Sequence, residues 1–148
     1  GWDTHKQHFE IMKRKLPEMD QAMAALLTDL TERGLLDSTL LWWGGEFGRS
    51  PRVLWESPWN GGRSHYGKCF STVLAGGGIQ GGRVVGASNA TGEEVAERPV
   101  YPADVIGTLY GLLGIDPDAP LPNPRGLDVK VLANDGGQPR GGLLTELV

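Results

Sequence analysis

Residues 38–51 read "STLLWWGGEFGRSP", and the reading of this stretch decides the fold. Thr39 to Trp43 is a short, almost wholly apolar run of strand-forming residues. It lacks the polar alternation of a half-solvated strand, so it predicts a strand covered on both faces, as in a parallel sheet. The run stops at Gly44-Gly45, and Glu46 and Arg49 follow at once. In open α/β sheets, ligands sit beyond the carboxyl ends of the strands. The stretch therefore predicts a strand and, directly after it, a loop that faces a ligand.

Upstream lies "PEMDQAMAALLTDLTER", residues 17–33. Met19, Met23, Leu26, Leu27 and Leu30 fall on one face at helical spacing. Pro17 suits a first turn, and Gly34 suits the left-handed residue after a last turn. Residues 7–16 read as an earlier helical turn set off by a kink at Pro17. Helix, tight turn and buried strand give the rhythm of an α/β protein.

Downstream, residues 50–67 form a long loop holding Trp55, Trp59 and His65. Loops of this length in compact domains are usually functional or disordered, and the aromatic content favours order. "KCFSTVLAGGGI" reads as a second buried strand that ends in glycines, and "GGRVVGAS" as a hairpin. Pro102 opens a helix, "PADVIGTLYGLLG", with Val105, Leu109, Leu112 and Leu113 on one side and Gly114 as its stop. Beyond Asp116 the chain is rich in Pro and Gly. Residues 134–148 read as a tail prone to fray.

The composition narrows the function. A formal net charge of -4 argues against a nucleic-acid surface, which needs a basic patch. No apolar run approaches the roughly 18 residues of a membrane span. Cys69 is the single cysteine, so no internal disulfide and no thiolate metal cluster forms. The 148 residues suffice for one domain.

Four residues are candidate metal ligands: Asp3, His5, Glu46 and His65. Asp3 and His5 face the same way if the chain is extended. Taken alone, they read sooner as a solvated pair at the terminus. Glu46 reads as a ligand or as a structural partner of Arg49. His65 stands before the second buried strand. All four fall near expected strand ends, which share one edge in a parallel sheet. A mixed imidazole and carboxylate set suits zinc or manganese, with calcium or magnesium as oxygen-preferring alternatives. Arg49, with its forked donors, is the candidate catalytic group for an oxyanion.

"GWDTH", "LLTDLTERGLLDSTLLWWGGEFGRSP", "GGRSHYGKCFSTVLAGGGIQGGRVVGAS" and "RPVYPADVIGTLYGLLGIDP" together resemble the bacterial family catalogued as domain of unknown function 1501, which is related to sulfatases and alkaline phosphatases. The resemblance implies the C-terminal half of an alkaline-phosphatase-like α/β fold, with a largely parallel sheet flanked by helices. It implies a nucleophile that lies outside this sequence. It also implies a metal-dependent hydrolase of phosphate or sulfate esters, acting on a small-molecule or polysaccharide substrate outside the cytoplasm. In that pattern Asp3 and His5 match an Asp/His motif and His65 matches the final His. Two positions depart from the pattern. Phe47 stands where a His ligand is expected, and Ser64 stands where the family carries Asp. Both departures favour the alternative, a non-catalytic protein of the same fold that binds ligands or partners at the cell surface.

Overall fold

The computed structural model describes residues 1–132 and 139–148. Helix α1 spans His8–Glu32 and helix α2 spans Pro102–Leu112. Between them lie six short strands: β1 (Leu41–Trp43), β2 (Gly48–Arg49), β3 (His65–Tyr66), β4 (Val73–Ala75), β5 (Ala87–Ser88) and β6 (Val95–Glu97). They pair as three separate antiparallel ladders, β1 with β4, β2 with β3 and β5 with β6.

The expected parallel sheet flanked by helices is therefore incorrect. A parallel pair needs a long crossover, usually helical, between its strands. Here both helices lie outside the strand-bearing segment, one before β1 and one after β6, so no strand–helix–strand unit forms among the described residues. The chain between β1 and β4 is a glycine-containing excursion that returns alongside β1 in the opposite direction. Leu41 then faces Ala75, and Trp43 faces Val73. The apolar run at 39–43 misleads on burial too. Trp42 and Trp43 are 54% and 42% exposed, and the Trp42 indole N–H donates to Thr72 Oγ1 at 2.6 Å.

Helix α1 continues through Pro17 for 25 residues rather than starting there. Pro17 deprives the Lys13 carbonyl of its helical donor, but both residues are exposed and water can take that place. Its apolar face is only half covered: Met19, Met23, Leu27 and Leu30 are partly buried, Leu26 is exposed, and no α1 residue is fully buried. No described helix is long and apolar enough to cross a membrane.

The buried centre lies at the other end of the chain. Val105 of α2 packs with Leu144 and Leu147, and Leu74, Ile79, Val85, Val100 and Leu109 close around them. Residues 139–148, expected to fray, thus supply two of the three buried apolar side chains among the described residues. Residues 134–138 of that expected tail lie outside the described residues.

Asp104 explains why the tail docks. Its carboxylate is 2% exposed and accepts three backbone N–H groups. One is from Tyr101 at the start of α2 (2.9 Å), and two are from the tail, Gly141 (2.8 Å) and Gly142 (3.1 Å). One turn on, Thr108 Oγ1 accepts the N–H of Leu144 at 2.9 Å. From the other side Arg98 donates to the carbonyls of Gly141 and Leu143 and pairs with Glu146.

Two outcomes are expected. Asp104→Ala leaves buried N–H groups without acceptors and should lower the unfolding free energy by about 2–4 kcal/mol, measured by urea denaturation. The Arg98 hydrogen bond holds the Glu146 carboxyl down at about 2, against an ordinary value of 4.5. A carboxyl depressed in the fold stabilises it above the unfolded value and loses that contribution as pH falls through the folded one. Between about pH 4.5 and pH 2, wild type should therefore lose more of its denaturation midpoint than Glu146→Gln, which has no proton to gain.

Candidate metal centre

Residues 1–7 lie beside the loop that precedes β3, with bends at residues 5–7 and Gln7 left-handed just before α1. The Gln7 N–H bonds to the Trp59 carbonyl (2.9 Å), the His8 N–H to Gly61 (3.1 Å) and the Arg63 N–H to Thr4 (3.4 Å). Thr4 is 3% exposed, and its Oγ1 lies 2.6 Å from His8 Nδ1. Gly62 makes this contact sterically feasible. A β-carbon there would overlap the His5 carbonyl oxygen, so no side chain fits.

The β2–β3 ladder supplies the other half. It sets Arg49 directly across from His65 and Gly48 across from Tyr66. Gly48 is needed here as well, since a β-carbon would meet the Cys69 carbonyl oxygen at 2.7 Å. Arg63 locks the ladder's approach, with its guanidinium donating to the Ser50 carbonyl (2.6 Å) and the Arg49 carbonyl (3.1 Å).

These two halves bring Asp3, His5 and His65 together. His65 Nε2 lies 2.8 Å and His5 Nε2 3.1 Å from Asp3 Oδ1, and the two Nε2 atoms are 3.1 Å apart. Arg49 Nη2 donates to the same carboxylate oxygen at 2.6 Å. His65 and Arg49 both donate to Asp3 and hold its carboxyl at about 2, below the ordinary 3.8; the His65 bond is the larger cause. His8, behind the cluster, has its imidazole pushed down, first by burial and then by the charges of Arg63 and Arg49.

The three ligand atoms form a triangle that protons alone fill poorly. Each neutral imidazole carries one N–H. If both donate to Asp3, two N–H groups face each other across 3.1 Å; otherwise one edge of the triangle is unbonded. A cation resolves the conflict. Ligand atoms bound to one tetrahedral zinc at about 2.1 Å stand about 3.4 Å apart, so the 2.8–3.1 Å edges need to spread only slightly. The three atoms all lie within 4.8 Å of one another, and Asp3 and His65 are exposed to incoming ligands.

The remaining candidates fall at the rim. Glu46 is exposed and does not belong to this group of three. Phe47 is not a ligand. Its ring centroid lies 4.2 Å from that of His65, so it walls one side of the imidazole. Gly62 and Arg63 shape the site without coordinating a metal, and residue types alone do not single them out. The usable signal is the Gly61-Gly62 pair three residues before His65, a mark of close backbone approach.

Together, fold and site define a small mixed α and β chain with a candidate mononuclear metal centre. The family model described as "Protein of unknown function (DUF1501)" matches residues 1–139, and the chain belongs to that family. No curated protein and no solved structure matches the chain.

The backbone contact at Gly62 is testable. Gly62→Ala should displace His5 and destabilise the fold by about 1–3 kcal/mol, the usual cost of overpacking. Gly67→Ala, with open space around its Cα, should do neither. The readouts are urea denaturation and the nuclear Overhauser effect between the His5 and His65 rings. Loss of that effect only in Gly62→Ala is the expected result.

Proposed function

We propose that the chain carries a metal-dependent hydrolytic site for phosphate or sulfate esters, with Asp3, His5 and His65 as ligands of one divalent ion. The observation that carries this reading is the convergence of those three ligand atoms within 4.8 Å. Two imidazoles and a carboxylate suit zinc or manganese better than calcium or magnesium, which prefer oxygen. Such an ion, when bound, supplies Lewis acidity toward an ester oxygen and acidifies a bound water.

The chain's own residues do the rest. Arg49 orients the Asp3 carboxylate through Nη2. Its remaining donors suit negative charge on a transferred phosphoryl or sulfuryl group. Phe47 screens the His65 ring and offers no ligand, so the residues present fit one ion rather than two. That same absence supports a second reading, a protein of this family that binds ligands or partners at the cell surface without turning them over.

Metal analysis and turnover separate the two. Wild type incubated with zinc or manganese should retain about one ion per chain after gel filtration. His5→Ala and His65→Ala should each lower metal affinity at least about tenfold, in line with the loss of one ligand. Hydrolysis of 4-nitrophenyl phosphate or 4-nitrophenyl sulfate should vanish with EDTA and return with metal. Folded wild type that retains neither metal would refute the centre. Metal retention without turnover of either ester would favour the binding reading.

A further inference from the structure

Beside the metal centre, between the β2–β3 ladder and the β5–β6 hairpin, lies a cavity of about 800 Å³. That volume falls within the usual range of small-molecule sites, about 300–1,000 Å³. Phe47, Phe70, Val53 and Val95 contribute apolar wall. The charged residues lining it are all cations, Arg49, Arg63 and Arg98, and no Asp or Glu joins them. None of Asp3, His5 and His65 lines it, but Arg49 and Phe47, which touch Asp3 and His65, do, so it adjoins the three ligands without containing them.

The three arginines are not equally neutralised. Arg98 is paired with Glu146, and Arg49 shares Asp3 with two imidazoles. The Arg63 side chain bonds only to the carbonyls of Ser50 and Arg49, and no described carboxylate pairs with it. Arg49 Nη1 is buried and has no hydrogen-bond partner, the sole such side-chain atom among the described residues. A buried donor without an acceptor is unfavourable, which leaves the Arg49 guanidinium the least satisfied of the three.

We propose that this cavity binds an organic anion, a molecule with one carboxylate, sulfate or phosphate group on an apolar body of one or two rings. The anionic group meets Arg49 and Arg63, and the apolar body lies along Phe47, Phe70 and the valines. Binding here needs no metal. It therefore stands or falls independently of the hydrolytic reading.

The test is calorimetric titration of the purified protein in EDTA, with naphthalene-2-sulfonate as the probe and 2-naphthol as its neutral counterpart. The sulfonate should saturate a single site and bind at least about tenfold more tightly than the naphthol. Arg49→Gln should remove that preference. Ser88→Trp, which fills the cavity from β5 and leaves the arginines in place, should abolish binding of both probes and serves if Arg49→Gln does not fold. Equal affinity for the two probes, absence of saturable sulfonate binding, or wild-type affinity in Ser88→Trp would overturn the proposal.

Discussion

The His5 carbonyl lies against the Cα of Gly62, where a β-carbon would overlap it. This contact fixes how closely residues 1–7 approach the loop before β3. The hydrogen bonds from Gln7, His8 and Arg63 then hold the two segments in register. Only with that spacing does His5 Nε2 come within 3.1 Å of His65 Nε2, with Asp3 between the histidines and Arg49. The chemistry of the site thus rests on a missing side chain. Residues 60 apart in sequence become neighbours because one glycine lets two backbones touch.

A second, polar constraint organises the opposite end. Asp104 gathers backbone N–H groups from the start of α2 and from the tail, and Arg98 gathers tail carbonyls. The apolar centre beneath is small, with three buried apolar side chains among the described residues. Satisfying the tail's backbone is therefore as important as its hydrophobic burial, since unpaired buried donors are costly. Between the two ends, Arg49 and Arg63 belong to the metal-centre side and line a cavity together with Arg98. Arg49 alone of the three both bonds the carboxylate of Asp3 and lines that cavity.

The electrostatics of the centre follow from geometry alone. Asp3 is well exposed, yet it is surrounded by donors, and its carboxyl stays ionised to about pH 2. An ionised carboxylate beside two imidazoles is a ready set of metal donors near neutral pH. Arg49 adds a fixed positive charge beside Asp3, which suits a negatively charged group on a molecule approaching the centre.

By itself, the sequence determined family membership and selected the residue types able to carry chemistry. It also located α2, whose opening Pro102 and closing Gly114 are local signals that tertiary context did not override. It did not determine strand direction. An apolar run such as 39–43 has the same composition whether its partner runs parallel or antiparallel, and only the chain's return path chose the latter. The sequence grouped Asp3, His5, Glu46 and His65 by placing them on one edge of a parallel sheet. The structure brings three of them together by another route, the cross-strand pairing of Arg49 with His65 and the backbone contact at Gly62, and leaves Glu46 at the rim. Periodicity and turn chemistry act within a few residues, so they can be read along the chain. Contacts across 60 residues depend on which backbones can approach, and that is decided only when the chain is folded.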